Sequence, residues 1–294
     1  MAVSTAFAPA KVNLYLHVGT LDADGFHPLS SLMVFADVGD ELSARPADAI
    51  GMEIHGPFAE GLEASEGNLV MRAARAMLAR CDGPRAPFHL SLTKALPLAA
   101  GLGGGSSDAG AALRLLRETL EIPLSDAELE QVAAELGSDG AACLFCRSVI
   151  AEGRGERLSP APAFPVLDAV LVNPRVPSPT GAVYRGFDEM GGSSGADRPD
   201  LPEAFESAEE MAGFLATCRN DLEAPAVRLT PLIGEVLATL RDEPETLLGR
   251  LSGSGATCFA LCAGDIEAEG LAERLERMRP DWWVRRCRLG GDWV

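Results

Sequence analysis

Phe88-His-Leu-Ser-Leu-Thr93 followed by Lys94-Ala-Leu-Pro97-Leu-Ala-Ala-Gly101-Leu-Gly103-Gly104-Gly105-Ser106-Ser107 is the stretch on which the reading of this chain turns. Its first six residues alternate in polarity, the period of a half-buried strand. Beyond Ser107, the apolar residues Ala109, Ala112, Leu113, Leu116 and Leu120 recur at helical spacing. The order is strand, glycine-rich loop, helix. Glycines at 101, 103, 104 and 105 remove the Cβ atoms that would hold an anion away from backbone N–H groups, and the helix turns its positive end to the same place. The expected occupant is an anion such as phosphate. Ser106 and Ser107 add hydroxyls able to bond phosphate or, for Ser107, to ligate the Mg²⁺ that accompanies it. Two familiar loops do not fit: a Walker A loop ends Gly-Lys-Ser/Thr, and the dinucleotide fingerprint needs glycine where Ser106 stands. The plainer alternative is a glycine turn without a ligand, but four glycines exceed what a turn into a helix requires.

Upstream, Val12, Leu14, Leu16 and Val18 alternate with Asn13, Tyr15 and His17, a strand that sets Lys11 and Asn13 on one face. Turn residues from Asp22 to Pro28 join it, hairpin-like, to a second extended run from Leu29 to Leu42. Asn68 is placed to cap a helix that runs through Leu69, Ala73, Ala76 and Met77 towards Cys81. Downstream, Ser125 and Glu128 form a capping box for a helix that Gly137 ends, which leaves Asp139 in a new turn before the apolar Ala141 to Phe145. Past residue 155 the pattern restarts. Strands at 166–172 and 282–288 and a strand-loop-strand piece at 249–261 are mixed with helices at 208–217, 232–241 and 266–278, and a Gly/Ser/Pro surface loop falls at 191–202. Helices and strands mixed in this way predict an α+β protein with two lobes, residues 1–155 and 156–294.

Composition narrows the function. The 294 residues are 47% hydrophobic and 23% charged, a globular balance. A formal net charge of -18 argues against nucleic acid or an anionic membrane as partner. Phosphate must then be held by a local site of lysines, backbone N–H groups and a divalent cation. No apolar run reaches the roughly 18 residues of a membrane span, and the opening MAVSTAFAPAKVN has no signal pattern, so a cytoplasmic protein is expected. Seven scattered cysteines are an odd number and read as reduced thiols. For the C-x-x-C pair Cys143 and Cys146, helix packing is a simpler account than metal or redox chemistry.

The glycine loop, with Pro97 four residues before Gly101, resembles the phosphate-binding motif of the GHMP kinases, named for galactokinase, homoserine kinase, mevalonate kinase and phosphomevalonate kinase. Pro9-Ala-Lys-Val-Asn-Leu14 and Leu251-Ser-Gly-Ser-Gly-Ala256 are similar to that superfamily's other two motifs, in the right order and across nearly the whole chain. Asp24-Gly-Phe-His-Pro-Leu29, Gly137-Ser-Asp139 and Asn220-Asp-Leu-Glu223 resemble the branch that phosphorylates a cytidine diphosphate alcohol in non-mevalonate isoprenoid biosynthesis. That resemblance implies an N-terminal lobe like domain 2 of ribosomal protein S5, a ferredoxin-like C-terminal lobe, and ATP with Mg²⁺ as cofactors. It implies Asp139 as acceptor of the hydroxyl proton and Lys11 as the group that orients it. An alcohol is a poor nucleophile at neutral pH, so phosphoryl transfer needs such a pair. It further implies Asn68 and Lys94 beside the adenine, Asn13, Gly253 and Ser254 at the substrate, and cytosine held between Phe26 and Tyr184 with His27 reading its edge. Two positions depart from the branch: Phe26 stands where tyrosine is usual, and Gly140-Ala141 where Val-Pro usually follows the aspartate. A small-molecule kinase acting as a monomer or weak homodimer is the expectation. A GHMP kinase for homoserine, mevalonate or a sugar is the alternative within the family, and a ligand sensor without transfer chemistry is the alternative outside catalysis.

Overall fold

A computed structural model describes residues 3–81, 86–192 and 195–294 of the chain. The two longest strands lie at the start: β1 (Ser4–Val18) and β2 (Leu29–Pro46) pair antiparallel along almost their whole length. From Ala8 to Val18 every residue of β1 is buried, so the strand is covered on both faces and not on one as its alternation suggested. β2 also pairs with β4 (Phe88–Thr93), which runs parallel to β3 (Gly51–His55), and with β5 (Val149–Gly153), whose hairpin partner is β6 (Arg157–Pro160). Against this sheet pack α1 (Leu69–Leu78), α2 (Gly104–Thr119), α3 (Asp126–Leu136) and α4 (Gly140–Phe145), burying Met77, Leu113, Leu116 and Leu129 with Phe88, Leu90 and Leu92. The Asn68 cap on α1 and the Ser125–Glu128 capping box on α3 form as the sequence predicts.

The second lobe begins with β7 (Leu167–Asn173) and continues through α5 (Thr180–Glu189), α6 (Ala208–Ala216), α7 (Glu223–Leu229), α8 (Pro231–Asp242), β8 (Thr246–Leu251), β9 (Cys258–Cys262), α9 (Asp265–Met278) and β10 (Trp283–Leu289). Its strands lie in the order β10-β7-β9-β8, all antiparallel, the arrangement of a ferredoxin-like lobe. Leu289 bridges to Ala36 of β2 and joins the two sheets. The expected division at 155/156 falls inside the β5–β6 hairpin; pairing extends the first sheet to Pro160 and moves the boundary to the connection before Leu167. Part of the predicted 191–202 loop, residues 193–194, lies outside the described residues. Among the described residues no helix is long and apolar enough to cross a membrane. The seven cysteines are free thiols; Cys143 lies in α4 and Cys146 directly after it, both buried. Burial pushes both thiols upward, Cys146 to about 11, which keeps them protonated.

Candidate active site

A cleft of about 1410 Å³ opens between the lobes, lined from one side by the glycine loop and from the other by α5 and the turn after β8. Gly103 caps α2 with φ 62°, and a Cβ there would lie 3.1 Å from both Cβ and Cε of Lys11. Gly101, with φ 74°, is pressed against the backbone of Ser252 and Gly255, so a side chain has no room. The loop is thus held open at the N-terminus of a 16-residue helix, with Gly103, Gly104, Gly105 and Ser106 all on the cleft wall. Ser107 is not on that wall. It is fully buried, and its hydroxyl donates to the Pro9 carbonyl at 2.5 Å, so the sequence-based expectation of a Mg²⁺ ligand at Ser107 is corrected: the hydroxyl on the cleft side belongs to Ser106.

Lys11 lies on the cleft floor, 5% exposed. Its ammonium donates to Asn13 Oδ1 at 2.7 Å and stands 3.3 Å from Asp139 Oδ2. Asn13 is held in turn by donating to Ser31 Oγ at 2.7 Å, and Ser31 donates to the Tyr15 carbonyl. Asp139 occupies the position before α4 but makes no capping bond to it, and its side chain keeps 29% exposure to the cleft. Gly140 is required by packing, since a Cβ would strike the Ala133 carbonyl of α3. A carboxylate free of capping duty, facing solvent on one side and an ammonium on the other, suits acceptance of a proton from a bound hydroxyl.

Lys94 behaves differently from its expected place beside the adenine. It reaches the cleft wall, yet its ammonium is buried between Asp40 Oδ2 at 2.5 Å and Asp108 Oδ2 at 2.8 Å. Asp40 Oδ1 accepts the N–H groups of Ala95 and Leu96 at 2.6 and 2.9 Å, which fixes the entry to the glycine loop. Burial would lower the Lys94 ammonium, but the two carboxylates outweigh it and raise it on balance. Asp108 is pushed up to about 7, by burial first; attraction to Lys94 offsets only part of this, and repulsion from Asp40 adds to the rise. Asn68 caps α1 through Oδ1 to the Val70 N–H at 2.9 Å while lining the cleft beside Pro97.

At the other end of the cleft, Phe26 is 52% exposed and Tyr184 is half-buried on α5. The Tyr184 phenol is pushed up to about 12, by burial and then by the Asp139 carboxylate. His27 packs on Tyr184 with ring centroids 5.2 Å apart. Its Nδ1 donates to the Gly19 carbonyl at 2.8 Å and its Nε2 faces Asp188 Oδ1 at 3.4 Å, so both ring nitrogens already have protein neighbours. Gly253 and Ser254 line the cleft in a turn tied down by Asn220, whose Nδ2 donates to the carbonyls of Leu251 and Gly253 at 2.8 Å each.

Residues 68–147 match the GHMP kinase N-terminal domain and residues 194–281 the GHMP kinase C-terminal domain. The chain belongs to the GHMP kinases. A relative within this family, the 4-diphosphocytidyl-2-C-methyl-D-erythritol kinase of Caulobacter vibrioides, is 67% identical over 286 residues, 97% of this chain and 99% of that protein. The crystal structure of a 4-(cytidine 5'-diphospho)-2C-methyl-D-erythritol kinase superposes with a TM-score of 0.78 at 35% identity, covering 98% of this chain and all of that one (100%). Homoserine kinase from Cytophaga hutchinsonii shares the fold alone, at TM-score 0.68 and 18% identity over 99% of this chain and 95% of its own.

Three contributions of this GHMP kinase's site escaped the sequence reading. Asp40 and Asp108 form the clamp under the loop; the signal was the pair of aspartates, Asp37 and Asp40, inside the apolar run Leu29 to Leu42. Ser252, quoted in the third motif without a role, accepts the Asn13 N–H at 3.2 Å and donates to the Gly101 carbonyl at 2.8 Å, linking all three motifs. The cleft-lining helix α5 was not among the predicted elements; Pro179 occupies its N-cap.

Proposed function

We infer that this kinase transfers the γ-phosphoryl group of ATP to a hydroxyl of 4-diphosphocytidyl-2-C-methyl-D-erythritol, the 2-hydroxyl, in the non-mevalonate isoprenoid pathway. The observation that carries the reading is the Lys11–Asp139 pair, 3.3 Å apart on the floor of one cleft with the glycine loop at one end and Phe26 and Tyr184 at the other. The triphosphate lies along the N–H groups at the N-terminus of α2, from Gly103 to Ser106, all on the cleft wall. Asp139 accepts the proton of the attacking hydroxyl; Lys11, steadied by Asn13, orients that carboxylate and faces the negative charge of transfer. The Ser106 hydroxyl on the cleft wall is the protein group that would help hold Mg²⁺, which when bound would supply neutralisation of phosphate charge. The cytosine stacks in the aromatic end, and the turn at Gly253 and Ser254 approaches the substrate phosphates. The protein works in the cytoplasm as a monomer or weak homodimer.

The test is ADP release with a panel of alcohols. The cytidine substrate should be phosphorylated while free methylerythritol phosphate, homoserine, mevalonate and galactose are not. Comparable turnover of homoserine or mevalonate would replace the substrate and leave the family intact; no turnover of any alcohol would favour a ligand sensor.

A further inference from the structure

The mouth of the cleft carries an exposed ring fixed from an unexpected side. Phe26 sits at the tip of a loop closed on itself: Asp22 Oδ1 accepts the N–H groups of Asp24 and Phe26, both at 3.0 Å, and the Asp22 N–H donates to the Phe26 carbonyl at 2.8 Å. These bonds hold the backbone and leave the side chain free to turn. Phenylalanine has no hydroxyl by which a hydrogen bond might orient the ring. Arg154, from the turn between β5 and β6, supplies the orientation: its guanidinium carbon lies 4.1 Å from the ring centroid. The guanidinium is itself anchored to the same loop, 2.8 Å from Asp24 Oδ2 and 3.8 Å from Asp22 Oδ2. The base of the arginine is fixed as well, since its backbone N–H donates to Glu156 Oε2 at 2.6 Å. With one face of the ring covered and 52% of the residue still exposed, a second face remains for a ligand in the cleft that Phe26 and Arg154 both line.

We propose that Arg154 is a positioning residue for substrate selection, backing Phe26 so that the free face of the ring is presented to the flat base of a cytidine diphosphate. This rests on the substrate reading given above and deepens it. A cation on one face of a ring draws its electron density and holds the ring plane, which favours stacking of an aromatic base on the opposite face. The two aspartates matter equally, because they neutralise the arginine and keep it on the ring when the substrate diphosphate arrives.

The experiment is a double-mutant cycle read by kcat and KM for both substrates and by calorimetric titration of CDP. Arg154→Ala should raise KM for the cytidine substrate and weaken CDP about fivefold, the scale of one exposed cation–π contact, with kcat and the KM for ATP held within about twofold. Arg154→Lys, which keeps the charge, should recover part of the loss. In a Phe26→Leu background the Arg154→Ala change should add nothing, because no ring is left to position. An unchanged KM in Arg154→Ala, or the same fivefold loss in the leucine background, overturns the proposal; the second result would make the arginine a direct ligand of the diphosphate. A wild-type enzyme that neither binds CDP nor turns over the cytidine substrate overturns the substrate reading and this proposal together, a result distinct from either.

Discussion

Lys94 and Lys11 both face carboxylates within 4 Å on the wall of one cleft, and the proposed function gives them opposite work. Lys94 has two carboxylates, each at ordinary or short hydrogen-bond distance, and its side chain is 3% exposed. Two protons of its ammonium are bound within the fold. Lys11 has one carboxylate, at 3.3 Å, and that carboxylate keeps an open side. The contrast shows what separates a structural ion cluster from a reactive one: not burial of the cation, which both share, but whether the anion retains a lone pair facing the space a ligand would fill.

The largest effect should come from the buried cluster. Lys94→Ala leaves two buried carboxylates without their cation and should cost about 3–5 kcal/mol of stability, read as a drop in the midpoint of urea unfolding. A variant of wild-type stability would erase the distinction just drawn. Asp139→Asn should do the reverse, with folding and ATP binding retained and kcat lowered about 10²-fold or more, the scale of a lost proton acceptor; Lys11→Ala should fall similarly. Near-normal turnover in the asparagine variant would remove the proton-accepting role from Asp139.

Gly103→Val tests the loop that lies between the two lysines. Saturating MgATP at a hundredfold excess over Kd should stabilise the wild type by about 2.7 kcal/mol, and the valine variant by nothing measurable in the same thermal melt.

A separate effect concerns pH. Asp108 has a folded value of about 7 against an ordinary 3.8, so between these limits the native state holds a proton that the unfolded chain has lost. Its contribution to stability therefore declines as pH rises from about 4 to about 7 and is level above that. Lys94, raised in the fold, loses its contribution only at alkaline pH and leaves this window undisturbed. The stability difference between wild type and Asp108→Asn should trace that slope in melts at matched ionic strength, and a flat difference across the window would mean Asp108 is ionised throughout.

The sequence carried most of the architecture because its signals were local. Alternation at Phe88–Thr93, the Ser125 capping box and the glycines before α2 each act within a few residues, and each element formed where predicted. What the sequence concealed depends on distance along the chain. Asp40 meets Lys94 across 54 residues, Arg154 meets Asp24 across 130, and Asn13 meets Ser252 across 239. No periodicity reports such pairings. The burial of both faces of β1 was hidden for the same reason: the residues that cover it come from the other lobe, including Arg250, which donates to the Leu14 carbonyl at 2.9 Å. His27 illustrates a subtler limit, since its position in the cleft was legible from its motif but the occupation of both its ring nitrogens was not.

The Ser252 bridge has a practical meaning for anyone who would inhibit this enzyme. Gly101 carries the near shoulder of the phosphate loop, Ser252 belongs to the turn at the alcohol's end, and the Thr257 N–H adds a bond to the Ala100 carbonyl at 3.0 Å. On the proposed function, this short bonded span sets the spacing between the nucleotide's seat and the alcohol's seat. A single molecule that joins mimics of both reactants should show one sharply preferred linker length, and stiffening the linker at that length should improve its grip, because the protein has already fixed the gauge to which it must be cut.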